Sequence, residues 1–341
     1  MRLLICSFVL LLSFAMLCLA QAPTQTFRGT IGEQPVVVKL QRDGDKLTGS
    51  YSYERIGQSI TLKGQIDPQG NVTLAEFDNA GRQTGKFKGK LEPDEERTDA
   101  FTLDGTWTRP DGSRETSFSL SEQQIAFTNG LQFTSKTIAD RRLNIKAIYP
   151  QLTGGNAPGV LAFNRAAEAL VTKLVNDYRK DPIPTNYGGG LDTDYNVLLA
   201  TDDLVSVEIN EEFWGGAHPE ASHDAVTYDL HTGHVVTLAS LFKSGTKYTD
   251  ILRRAARADM VARLKRLEAE NNQQADESIF SDDELKEWHA WGLTPRGLVL
   301  YFELPHVIAV FDKATIPWAE LKDVLDPKGP AAQLVQTNGA H

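Results

Sequence analysis

Through the first third of the chain, apolar and polar positions alternate with a period of two. The runs Val36-Val37-Val38-Lys39-Leu40, Thr48-Gly49-Ser50-Tyr51-Ser52-Tyr53 and Ile60-Thr61-Leu62-Lys63-Gly64-Gln65-Ile66 carry the pattern. Turn residues separate them: Arg42-Asp43-Gly44-Asp45, Asp67-Pro68-Gln69-Gly70, Asp78-Asn79-Ala80-Gly81 and Arg109-Pro110-Asp111-Gly112. Each turn offers a residue that tolerates positive φ between alternating stretches, which is the hairpin signal. Residues 26–120 are therefore predicted to form a meander of roughly eight antiparallel strands, closed or half-closed as a small barrel. A weak repeat supports curvature: Gly49, Gly85 and Gly105 each stand two residues before an aromatic, at Tyr51, Phe87 and Trp107. Residues two apart share a strand face, and a small residue beside a ring lets a sheet bend over without a clash. A packed interior is expected, with a ligand-binding mouth as the alternative. The acidic stretch Glu92-Pro93-Asp94-Glu95-Glu96 reads as a solvated connection.

The periodicity then changes. After a linker at 121–129, residues 131–325 mix strand and helix signals. Leu143 to Tyr149 alternates like a strand and is predicted to stop at Pro150. A helix is predicted over 160–178, with Phe163, Ala167, Leu170, Leu174 and Tyr178 as its buried stripe. Strands follow at 204–209 and 225–230, the latter turning at Thr232-Gly233, and a second long helix spans 248–270. Ser281 to Glu284 has capping-box spacing, and Thr294-Pro295-Arg296-Gly297 joins a final strand pair. Pro317 opens a last helix predicted to reach Leu325. Residues 326–341 have little to bury and are expected to be a disordered tail. Elements in this irregular order predict an α+β fold: a β-meander unit, then an α+β unit with an antiparallel sheet and two main helices.

The N-terminus places the chain. Met1-Arg2, an apolar run from Leu3 to Leu19 and the small residues around Ala20 are the parts of a secretory signal, expected over residues 1–20. An uncleaved anchor is the alternative. Periplasmic or secreted localisation follows. Cys6 and Cys18, the only cysteines, both fall inside that leader, so the mature chain offers no disulfide, thiol nucleophile or thiolate metal site. The formal net charge of −10 becomes −11 once Arg2 leaves with the leader. No cluster of Lys or Arg is dense enough to follow a phosphate backbone, so nucleic acid is not an expected partner. An acidic exported protein attracts cationic partners instead.

Candidate chemistry concentrates in EEFWGGAHPEASH, residues 211–223. It reads as a glycine-shaped bend at the exit of a strand. The candidate partner-binding residues are Glu211, Glu212, Trp214, Gly215, Gly216, His218, Pro219 and His223. No zinc-type His or Cys spacing is present, so no metal and no cofactor are expected. Ser222-His223-Asp224 contains triad residue types, but sequence neighbours do not generally converge and no GxSxG elbow exposes a serine. No catalytic residue is assigned. Cell-wall glycan hydrolysis or deacetylation around His218, Glu211 and Asp224 stays as the alternative.

A set of motifs recurs in order: Tyr149-Pro150-Gln151-Leu152, Leu204-Val205-Ser206-Val207, Gly215-Gly216-Ala217-His218-Pro219, Tyr228-Asp229-Leu230-His231-Thr232-Gly233, Leu238-Ala239-Ser240-Leu241-Phe242 and Leu293-Thr294-Pro295-Arg296-Gly297-Leu298. Over residues 131–325 this resembles the extracytoplasmic domain shared by the lysozyme-sensing anti-sigma factor RsiV and the peptidoglycan deacetylase PdaC, a domain of unknown function. The resemblance implies an α+β envelope domain that, in the anti-sigma factor, binds lysozyme. In the deacetylase the domain accompanies a separate catalytic one, and no counterpart of that is read here. The expectation is a non-catalytic envelope protein binding a basic protein such as lysozyme, or peptidoglycan.

Overall fold

The computed structural model describes residues 24–337, except 95–96, 98–99, 186–187, 216–218, 272–275 and 282 and the side chains of 270, 336 and 337. The expected leader, Gly216 and His218 lie outside the described residues.

Eight antiparallel strands close into a barrel: β1 (Thr24–Ile31), β2 (Gln34–Asp43), β3 (Lys46–Tyr53), β4 (Ile60–Ile66), β5 (Asn71–Phe77), β6 (Gln83–Pro93), β7 (Phe101–Thr108) and β8 (Glu115–Gln123), with β8 returning to pair with β1. The turn glycines Gly44, Gly70, Gly81 and Gly112 all adopt positive φ, as their positions predict. Alternation fills the interior with Phe27, Val38, Tyr51, Leu62, Phe87, Leu103 and Phe118, so it is packed. The glycine repeat acts across strands: a Cβ on Gly85 would lie 2.3 Å from the Trp107 indole nitrogen. That indole instead reaches the buried Glu76 carboxylate at 2.7 Å, which also accepts from Tyr51 and Thr84.

The second unit is α+β, as predicted. Its five-stranded sheet runs in the order β13 (Glu220–Asp229), β12 (Leu204–Trp214), β11 (Gly190–Ala200), β10 (Ile145–Thr153), β9 (Gln132–Asp140). Helix α1 (Pro158–Lys180) covers one face. Its buried stripe is Phe163, Ala167, Val171, Val175 and Tyr178, so the prediction of Leu170 and Leu174 was off by one position in the middle turns. The other face meets a three-stranded sheet, β14 (Ala290–Leu293), β15 (Gly297–Tyr301) and β16 (Lys313–Pro317), itself packed on α2 (Tyr248–Glu270). Among the described residues no helix is long and apolar enough to cross a membrane.

Four local expectations are corrected. Strand β10 does not stop at Pro150: β11 pairs with β10 only through residues 145–147, so the missing N–H at 150 leaves no ladder bond unmade. The segment read as a linker is not loose. It occupies the β11 edge that β10 leaves open, with Gln124 N–H on Val197 O at 3.0 Å and Ala126 N–H on Ala200 O at 2.8 Å. The last predicted helix is only one turn, α3 (Trp318–Leu321), because Leu325 is drawn into a bridge with Phe242. The expected tail is ordered through α4 (Ala332–Thr337), since Ala331 and Leu334 find apolar cover in the α2 core.

Candidate functional site

The segment 211–223 is a β-hairpin rather than a loop. Strands β12 and β13 pair continuously from Leu204 opposite Asp229 to Phe213 opposite Glu220. Glu211, Glu212 and Trp214 are therefore strand residues. Gly215 has φ +108, and a Cβ there would stand 2.4 Å from the Gly189 Cα, so only glycine fits. Trp214 lies half-buried over Gly190, where a Cβ would come within 2.6 Å of the indole. Pro219 is exposed at the hairpin end.

Strand alternation sends the predicted residues to opposite faces of the sheet. Glu211, with Ser222 opposite it in register and Asp224 two residues on, takes the α1 side. Ser222 donates to Glu211 Oε2 at 3.0 Å. Burial, reinforced by the neighbouring Asp224 carboxylate, pushes the Glu211 carboxyl up to about 7, and burial raises Asp224 as well.

A pH dependence follows. A carboxyl whose folded pKa exceeds its unfolded value stabilises the fold fully below about pH 4.5, and that stability is lost as pH rises through 7. Discounted for partial solvent access, the loss is roughly 2 kcal/mol. Glu211→Gln keeps a neutral donor toward Asp224 and should escape it. Urea midpoints at pH 5 and pH 8 should show the variant matching wild type at the lower pH and exceeding it at the higher. A difference that does not change with pH would refute the assignment.

On the opposite face, His223 is held from three sides. Its Nδ1 is 2.9 Å from Asn210 Oδ1 and 3.3 Å from Glu208 Oε1, and its Nε2 is 3.2 Å from Asp312 Oδ2. Glu208 is fully buried, 2.9 Å from Lys313 Nζ and 3.1 Å from Asn196 Nδ2. Burial alone would raise its pKa, but Lys313 and then His223 outweigh that and hold the carboxylate down at about 2. This charged knot bridges the two sheets. Glu208, Asn210, Asp312 and Lys313 were not singled out from sequence. The only signal was Glu208 inside the apolar run 204–209 and Asp312 and Lys313 inside 311–316; Asn210 lies in neither run.

Beside His223 the same face opens into a groove of about 290 Å³, lined by Lys146, Asp192, Asp194, Asn210 and Glu212, among others. Burial raises Asp192; Lys146 counters it, and Glu212 and Asp194 raise it further. Of the predicted residues that are described, Glu211, Glu212 and His223 line this groove, while Trp214, Gly215 and Pro219 do not. Among the described residues no three His, Cys, Asp or Glu groups are placed to hold a metal ion.

No protein-family model matches the chain, and no curated protein matches it. Among solved structures it is similar to a DUF3298 family protein from Pseudomonas aeruginosa PAO1, at 14% identity and a TM-score of 0.40 over 58% of this chain and 94% of that one. It is also similar to a DUF3298 family member from Bacteroides fragilis NCTC 9343, at 13% identity and a TM-score of 0.38 over 61% of this chain and 98% of that one. These structural neighbours belong to a family of unknown function, at a distance that leaves chemistry to be argued from this chain's own side chains.

Proposed function

We propose that the chain is an exported, non-catalytic binding protein of a bacterial envelope. Its second unit would recognise a basic protein of the lysozyme kind, or a cell-wall ligand, beside the β12–β13 hairpin. The observation that carries this reading is the groove. Four carboxylates, Asp192, Asp194, Glu211 and Glu212, line it with one lysine, Lys146; Asp194 is already paired with Arg28, and Asp192 is raised by burial first and then, against Lys146, by repulsion from Glu212 and Asp194. A lysine or arginine from a partner would relieve that repulsion, and the net charge of −10 would steer such a partner in from a distance. The buried groups nearby favour a scaffold over turnover, because Glu208, His223, Asp312 and Lys313 bind one another.

Immobilised protein should retain a basic lysozyme at low ionic strength and release it as salt rises toward physiological, where the screening length falls to about 8 Å. Asp192→Asn with Glu212→Gln should weaken retention about tenfold, chiefly through slower association. Retention on peptidoglycan without lysozyme would move the reading to the cell-wall ligand. Retention on neither would sink it.

One observation favours glycan hydrolysis or deacetylation instead: a carboxyl near 7 at Glu211 beside Asp224 has the acid–base balance such chemistry uses. Turnover of peptidoglycan fragments by wild type, abolished in the folded Glu211→Gln variant, would replace the binding reading.

A further inference from the structure

A second cleft, again of about 290 Å³, lies between the barrel and the five-stranded sheet, away from the hairpin groove. Its two walls differ in kind. From the barrel come alternate residues, Thr26 and Arg28 of β1, Val37 and Lys39 of β2, and Ser52 of β3 with Glu54 just past its end, so this wall is the outward face of a sheet. From the sheet come Tyr195 and Val197 of β11 and residues 131–135 in unbroken succession. A strand face would contribute every second residue, so 132–135 present the edge of β9, its backbone.

The register shows which backbone groups it presents. In an antiparallel ladder, opposed residues are hydrogen-bonded or non-bonded as a pair. Ser135 stands opposite Pro150, which has no N–H to give. Phe133 stands opposite Leu152, whose N–H goes to Asn164 Oδ1 at 2.7 Å and whose C=O accepts from Asn164 Nδ2 at 2.9 Å. Neither partner bonds across to β9. Phe133 and Ser135 therefore direct their N–H and C=O groups away from β10, into the cleft. Among the described residues β10 is the only strand that pairs with β9. Open strand edges are commonly blunted or covered; this one faces an enclosed space with an apolar contribution from Val37, Ile125 and Val197.

We propose that this cleft binds an extended peptide segment that adds to the outer edge of β9. Main-chain hydrogen bonds to Phe133 and Ser135 would supply affinity, and the barrel face would select side chains. The segment lacks proline at the bonded positions, and it carries no strong charge of either sign: Arg28 at the floor is already committed to Glu54 and Asp194. Residues that alternate between small apolar and hydroxyl side chains match the mixed lining.

The test uses the mature chain and a labelled, end-capped octapeptide, Ser-Thr-Val-Thr-Val-Thr-Val-Ser, read by fluorescence anisotropy. Saturable binding below about 1 mM is expected. An analogue methylated on its central backbone nitrogens should bind at least tenfold more weakly, and hydrogen exchange at Phe133 and Ser135 should slow on binding. Ser135→Pro removes an outward N–H that the β9–β10 ladder does not use, and it should lower affinity by a similar factor with unchanged circular dichroism. If that variant does not fold, the methylated peptide decides alone. Equal affinity for both peptides, no saturation with either, or saturation only with a chito-oligosaccharide would overturn the proposal.

Discussion

Lys313→Met should cost about 3–5 kcal/mol of stability, the largest single-residue effect expected in the second unit. The removed ammonium sits 2.9 Å from Glu208 Oε1, in a place where Lys313 is 5% and Glu208 0% exposed. Without it Glu208 is a carboxylate in an apolar wall, left with His223 at 3.3 Å and Asn196 at 3.1 Å. It must stay charged with too few partners or take up a proton, and either outcome is expensive. The wild-type carboxylate is held at about 2, so its stabilisation is present above pH 4.5 and is lost as pH falls toward 2. In the variant that acid limb should flatten. Glu208→Leu combined with Lys313→Met should regain most of the loss, because a packed apolar pair carries no desolvation penalty. Urea unfolding of the two singles and the double closes the cycle. A single-variant loss under 1 kcal/mol would show that the pair is not what ties the sheets together.

The second large effect concerns the joint between the units. Arg28→Ala should cost about 2–3 kcal/mol and split one unfolding transition into two. Arg28 projects from β1 of the barrel, its Nε 2.7 Å from Glu54 and its Nη1 paired with Asp194 of β11 and 3.3 Å from the Tyr195 carbonyl. Its guanidinium lies 4.1 Å from the Tyr195 ring centre. One planar fork thus fastens two units through bonds in several directions, and the point charge of lysine cannot reproduce that. The lower end of the range applies because Asp194 is 54% exposed and regains water when released. Differential scanning calorimetry should resolve the barrel and the α+β unit as separate peaks in the variant, and Arg28→Lys should resemble it. A single undivided peak in Arg28→Ala would mean that the 124–126 stitch to β11 is sufficient by itself.

Much of this architecture was legible in the chain. The barrel strands follow from alternation and from four turns whose glycines take positive φ, and the first long helix follows from its apolar stripe. The opposite orientation of Glu211 and Glu212 also lay in the alternation, but reading 211–223 as a bend concealed it. Three strands were not predicted: β9 (QFTSKTIAD), β11 (GLDTDYNVLLA) and the short β16 (KATIP). β11 does alternate, burying Leu191, Thr193, Tyr195, Val197 and Leu199 while Asp192, Asp194 and Asn196 take the other face, so its signal lay in the sequence; β9 is polar or mixed on both faces and has the barrel beside it. Period-two hydrophobicity does not register burial of that kind.

Periodicity and turn chemistry are short-range properties, set by side-chain sterics within a few residues, and from them the sequence by itself determined the barrel, the helices and the α+β class. Pairings across long loops are decided by which surfaces meet after collapse. Glu208 with Lys313, Arg28 with Asp194, and the edge of β9 against the barrel face were therefore settled only in the tertiary structure, where burial makes an unpaired charge or an unmet backbone group too costly to leave alone.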